Sequence, residues 1–223
     1  MDLELLRGGL ITFLLLFASL AIHEWAHAWV ADTLGDDTPR RDGRVTLNPM
    51  AHIDLFGTVI IPLVNIFVLR SVFSLIGWGR PVRVNPSNFS HRTRDEILVS
   101  MAGPCANLLV ALGVVVVGAL AVPSVPLFAD LVHEIVVMNV GLAVFNLLPI
   151  PPLDGGTLLR HLSGMSEETY MALARWSGIV MLVLINLRPF LSALYVLFGL
   201  ACVPLYWVCG LINPQAARLI FLS

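Results

Sequence analysis

Residues 10–30 read LITFLLLFASLAIHEWAHAWV, an apolar run from Leu10 to Ile22 that closes on His23, Glu24, Trp25, Ala26 and His27. A helix of about 20 such residues can cross a bilayer. An ionisable group inside one costs about 3 kcal/mol unless it is paired or has a task. Residues four apart share one face of a helix, so His23 and His27 can turn two imidazoles toward one metal ion. Glu24 lies roughly 100° round the helix from His23, in reach of a water beside that metal as a general base. Histidines at this spacing do turn up by chance in soluble helices. A His-Glu-His set inside an apolar span is poorly explained that way, and the stretch reads as a membrane helix carrying a metal site.

The rest of the chain agrees with a membrane protein in contact with a lipid bilayer. Apolar residues make up 57% of the 223 and charged residues 13%, against about 45–50% and 25% in soluble domains. Mean hydropathy is +0.86. The net charge of −2 comes without a basic cluster, so no nucleic-acid partner is expected. Cys105, Cys202 and Cys209 sit in apolar segments without ligand spacing to the histidines, and read as small core or lipid-facing residues. The first apolar run carries the metal motif, so it is expected to be retained rather than cleaved as a signal peptide.

Apolar runs cover 10–30, 55–76, 97–122, 127–149, 176–187 and 190–212, and the polar stretches between them are too short for a soluble domain with its own core. The expected fold is an all-α polytopic membrane protein with about five to six transmembrane helices. It is read as a single membrane-embedded domain over 1–223, with a catalytic core at 10–160 and C-terminal helices at 174–212. Arg188-Pro189 separates the last two runs into two helices joined by a tight turn. Residues 77–86, GWGRPVRVNP, differ in kind. Glycine, proline and alternating valine predict a short re-entrant extended strand or hairpin near the active site. Such backbone is tolerated at membrane depth only where protein or a water-filled cavity covers it.

Two histidines do not complete a catalytic zinc site, which uses three protein ligands and a water. Asp154 follows Pro149, Pro151 and Pro152, which must unwind the long apolar helix before it, and Gly155 and Gly156 allow close backbone approach. That broken segment can aim a carboxylate back at a site; the alternative is an interfacial Asp-Gly turn. Glu134 and His133 stand near the start of run 127–149 and read as interfacial. His91 and His161 read as solvated loop residues. His52 and Asp54 read as a loop staple that bonds exposed backbone, against a second metal or a gate. Ala102, Gly103 and Ala106 predict close helix packing, with Asn107 as an interhelical hydrogen bond.

HEWAH at 23–27, AGPCAN at 102–107 and FNLLPIPPLDGG at 145–156, with NPMAHID at 48–54 and GWGRPV from residue 77, together resemble the site-2 protease family. These are intramembrane zinc metalloproteases, and the resemblance is to the small bacterial branch without extra regulatory domains. It covers residues 10–160; the C-terminal helices match only in hydrophobicity. It implies one zinc per chain held by His23, His27 and Asp154, with Glu24 as the base. It also implies that Asn146 holds the substrate or its oxyanion, though a capping or interhelical bond is the other reading of that residue. Substrates would be transmembrane segments of other membrane proteins, cut in regulated intramembrane proteolysis. The rival functions are a membrane metal-binding transporter and a proteolytically silent scaffold. Glu24 speaks against the first, since transport needs ligands rather than a base, and the full His-Glu-His-Asp set against the second.

The metal set also constrains topology. The motif lies near the C-terminal end of the first helix and Asp154 beyond the C-terminal end of run 127–149. The two helices must therefore run parallel, and segment 48–96 must make no net crossing. The arginines at 40, 41, 44, 80, 83, 92, 94, 160 and 175 then share one side, with Arg7 and Arg188 opposite. By the positive-inside rule the N-terminus of this multi-pass cell-membrane protein is outside, and its C-terminus and active-site opening are cytoplasmic.

Overall fold

The structure is a computed structural model that describes residues 3–69 and 78–222. Among the described residues the fold is all-α, without a strand. Four helices among the described residues are long and apolar enough to cross a membrane: Leu6–Thr33, Arg92–Ala121, Pro126–Asn146 and Arg188–Ile212. The chain forms two compact units, Met1–Ala106 and Asn107–Ser223, divided inside the second of these helices.

The first unit opens with α1 (Leu3–Thr33), a helix of 31 residues that carries the His-Glu-His motif in its last three turns. Gly35, at φ 105°, turns the chain out of it into the short α2 (Thr38–Arg41). After a 3₁₀ turn at Pro49–His52, capped by Asn48, comes α3 (Ile61–Val64), flanked by π-helical turns at Leu55–Ile60 and Asn65–Leu69. Gly9 lets this stretch lie close on α1, because a Cβ there would stand 2.6 Å from Phe67. The unit closes with the N-terminal half of α4 (Arg92–Ala121).

The chain leaves α1 and enters α4 at the same end of this unit. Asp36 is fully buried, and its carboxylate accepts from Thr38 Oγ1 (2.6 Å), Asn85 N (2.7 Å) and Asn88 Nδ2 (2.7 Å). Arg83 pairs with Asp42 at 2.9 Å. Burial alone would push the Asp36 carboxyl up. The hydrogen bonds from Thr38, Asn85 and Asn88 outweigh that, and it sits below its ordinary value.

His52 and Asp54 form the expected staple. His52 Nε2 donates to Thr46 O at 2.8 Å, and Asp54 Oδ1 accepts from Phe56 N and Gly57 N at the start of the π turn. The expected extended segment is described only in part, since residues 70–77 lie outside the described residues. From Trp78 to Asn85 the chain is neither helix nor strand. It lies against 52–58: Trp78 N donates to Gly57 O (3.1 Å), Arg80 N to His52 O (2.8 Å) and Thr58 Oγ1 to Trp78 O (2.8 Å). No ladder forms here because the acceptors sit in helical turns rather than along a strand.

The second unit contains the rest of α4, α5 (Ala129–Asn146), α6 (Asp154–Ser163), α7 (Glu167–Leu184), α8 (Arg188–Ile212) and α9 (Pro214–Phe221). Val115, Val122, Val136, Val140, Cys209 and Ile220 form its core. Gly118 brings α4 close to α5, since a Cβ there would lie 2.8 Å from Val132. Asn107, fully buried, donates to Asn139 Oδ1 at 2.9 Å, the interhelical bond the sequence suggested. His133 Nδ1 donates to Ile220 O at 2.6 Å, which ties α9 back onto α5. The prolines and Arg188 act as expected. α5 stops at Asn146 ahead of the proline-rich loop, and α7 and α8 are separated by 185–187 with Pro189 in the first turn of α8. The apolar run 176–187 proves to be the second half of α7, which starts at Glu167 with Ser166 accepting from Thr169 N.

Candidate active site

On α1, His23 and His27 present their Nε2 atoms to each other at 3.1 Å, with the rings edge to face at 81°. Both are buried, at 3% and 8% exposure. The i,i+4 spacing produces the pairing, and a contact with α4 orients it. His27 Nδ1 lies 2.7 Å from Val99 O. A carbonyl only accepts, so Nδ1 carries a proton, and in the neutral ring that leaves the lone pair on Nε2. Metal-binding histidines are commonly fixed in this way. The donor set fits zinc. Two ligands of a tetrahedral ion with bonds of 2.0–2.1 Å stand roughly 3.3 Å apart, and the two nitrogens are already within a few tenths of that.

Helix α4 also supplies the surface facing these nitrogens. A Cβ on Gly103 would lie 2.4 Å from His27 Nε2 and 2.6 Å from His23 Nε2. Glu24 is partly buried and faces a different neighbour. A Cβ on Gly79 would come within 2.9 Å of Glu24 Cγ and 3.2 Å of Oε1, so the 78–80 segment runs directly past the carboxylate. Arg44 holds that segment. It is 5% exposed, and its Nη1 donates to Ala51 O and to Arg80 O. Burial pushes the Arg44 guanidinium down from its ordinary value and Arg80 adds to this, while the carboxylates of Glu24 and Asp42 pull it back. A guanidinium stays charged through such shifts, so Arg44 places a buried positive charge in the field of Glu24.

Asn146 and Asp154 lie in the second unit, at the last position of α5 and the first of α6. Asn146 Nδ2 donates to Leu142 O of its own helix at 2.9 Å, which leaves a second amide hydrogen for another acceptor. The loop between them folds tightly back on α6. A Cβ on Gly155 would stand 2.2 Å from Leu147 O, and one on Gly156 2.6 Å from Pro151 N. The two glycines therefore set the position of Asp154. Sequence reasoning missed the Val99 carbonyl, Arg44, and the approach of Gly79 to Glu24. A backbone oxygen leaves no trace in a sequence, whereas the small-residue stretch around Gly103 did show close packing.

The signature of Peptidase family M50 matches residues 126–185. The chain is 34% identical over 182 residues to "Putative zinc metalloprotease YwhC" of Bacillus subtilis, covering 78% of each chain. It is 30% identical over 199 residues to "Putative zinc metalloprotease Rip2" of Mycolicibacterium smegmatis, covering 85% of this chain and 73% of the relative. A Rip2 of Mycobacterium tuberculosis is 30% identical over 202 residues, 86% of this chain and 70% of the relative. No solved structure matches the chain. Relatives this similar over this much of both chains, with the family signature across α5 to α7, leave one assignment: the chain belongs to peptidase family M50, the site-2 protease family of membrane zinc metalloproteases.

Proposed function

We propose that this protein is an intramembrane endopeptidase that hydrolyses peptide bonds within or near transmembrane segments of other membrane proteins, as in regulated intramembrane proteolysis. The observation that carries the reading is the His23–His27 pair. Two imidazole nitrogens converge at 3.1 Å inside a membrane-spanning helix, with Glu24 beside them. His23, His27 and Asp154 would hold one zinc per chain, and the whole of 1–223 would act as a single membrane-embedded catalytic domain. Zinc in such a site lowers the pKa of water to about 7 and polarises a carbonyl.

The chain's own residues do the rest. Glu24 takes the proton from the attacking water and returns it to the leaving amine. Asn146 offers its second amide hydrogen to the oxygen that becomes negative. The 78–80 backbone, held by Arg44 beside Glu24, offers an edge to an unwound substrate, a known mode of peptide recognition. Unwinding is required because a helical peptide bond is shielded by its own hydrogen bonding and packing. The arginine-rich loops support an orientation with the N-terminus outside and with the C-terminus and the site's opening cytoplasmic, which takes a fifth crossing, by α7, beside the four helices long and apolar enough to span.

The test is cleavage of a labelled transmembrane peptide by the purified protein in detergent, with and without a zinc chelator. Chelator-sensitive cleavage that disappears in Glu24→Gln is the expected result. Metal binding with no cleavage of any transmembrane peptide would favour a transporter or scaffold.

A further inference from the structure

We propose that Gly103 is a positioning residue of the metal site: its missing side chain is what lets α4 lie over the His23–His27 pair without covering the two nitrogens that face a metal. The proposal rests on the reading of His23 and His27 as zinc ligands. Three observations carry it. First, the clash an alanine would make is selective. The nearest atoms to a Cβ at Gly103 are His27 Nε2 at 2.4 Å, His23 Cε1 at 2.5 Å and His23 Nε2 at 2.6 Å, the working edges of both rings rather than their backs. Real Cβ atoms do not approach that closely, so either a ring or the α4 backbone must move, and either shift separates α4 from the pair.

Second, the rings have little freedom to move and still serve. Both are buried, and His27 is pinned through Nδ1 to Val99 O, one turn earlier on the same helix α4. A ring that swings away from the methyl either breaks that bond or turns its lone pair off the metal, and zinc–nitrogen distances tolerate only about 0.2 Å. Third, local preference runs the other way. Glycine inside a helix is less favourable than alanine by about 0.5–1 kcal/mol, and Gly103 sits within a 30-residue helix. Gly113 on the same helix is the contrast, because a Cβ there meets nothing within 4 Å.

The experiment measures zinc affinity and thermal unfolding of the metal-free full chain in detergent. The variants are wild type, Gly103→Ala, Gly113→Ala, His27→Ala, and the His23→Ala/His27→Ala pair with and without Gly103→Ala. Gly103→Ala is expected to lose at least tenfold in zinc affinity, with Gly113→Ala like wild type. The three atoms nearest that Cβ all belong to the imidazoles, so removing both rings should relieve the clash, and Gly103→Ala should then leave the unfolding temperature unchanged or raise it. Wild-type zinc affinity in Gly103→Ala overturns the proposal while leaving the ligand reading intact, provided His27→Ala loses zinc. Zinc retained in His27→Ala overturns both. If Gly103→Ala alone fails to fold, recovery in the imidazole-free background supports the proposal, and failure there too overturns it.

Discussion

His27 Nδ1 donates to the carbonyl of Val99 at 2.7 Å, and this one bond decides which nitrogen of His27 faces His23. It also makes α4 part of the candidate metal site through a backbone oxygen. The consequence for metal content is direct. The purified protein should bind about one zinc per chain, and His23→Ala, His27→Ala and Asp154→Ala should each lose most of it. Elemental analysis alongside protein quantitation checks this. Full occupancy in Asp154→Ala would remove Asp154 from the ligand set and send the search for a third ligand elsewhere.

Glu24 separates binding from chemistry. Glutamine keeps its shape and hydrogen bonding but cannot take a proton, so Glu24→Gln should keep its zinc while cleavage falls by at least about a hundredfold. Unchanged turnover in that variant would mean that another group activates the water.

Much of this was legible in the sequence because it is written in side chains at fixed spacing. HEWAH in an apolar run announced the helix and the convergence of His23 and His27 on one face. Pro149, Pro151 and Pro152 marked the end of α5, and Asn48, Asp54 and Asn107 made the bonds their types suggest. What escaped was set by backbone and by distance. Val99 contributes a carbonyl that any residue would have. Arg44 looked like one more loop cation until 36 residues of separation closed to put it on Arg80 O. The helix α9 was hidden by its length, although Asn213-Pro214 is a sound start signal and Asn213 Oδ1 does accept from Gln215 N and Ala216 N.

Asp36 should give the first unit an acid-sensitive joint. Its carboxyl sits below the ordinary value, so the stability it contributes is complete above the unfolded value of about 3.9 and is lost as pH falls through the lower folded one. Asparagine turns one of the two acceptor oxygens into a donor, which then faces either Asn85 N or the Thr38 and Asn88 donors, at a cost of about 1–3 kcal/mol near neutral pH. Thermal unfolding of wild type and Asp36→Asn in detergent between pH 7 and 3 should show the gap narrowing toward the acid end. A gap that stays constant across that range would mean the Asp36 carboxylate is not linked to folding.

The bonds from Asp36 to Asn85 and Asn88, and the Arg83–Asp42 pair, also constrain topology. Groups joined by hydrogen bonds cannot lie on opposite faces of a hydrocarbon layer about 30 Å thick. Whatever path the chain takes between Asp42 and Arg83, it should therefore return to the face it left, which the proposed orientation makes the cytoplasmic one. Single cysteines test this in a background lacking Cys105, Cys202 and Cys209. Arg41→Cys and Ser90→Cys, both at exposed positions, should be shielded from a membrane-impermeant thiol reagent in intact cells and labelled after lysis. Arg188→Cys, at the start of α8, should be labelled in intact cells. Labelling at 90 without labelling at 41 would show a net crossing between them. α1 and α5 would then run antiparallel, and His23, His27 and Asp154 could not meet at one zinc.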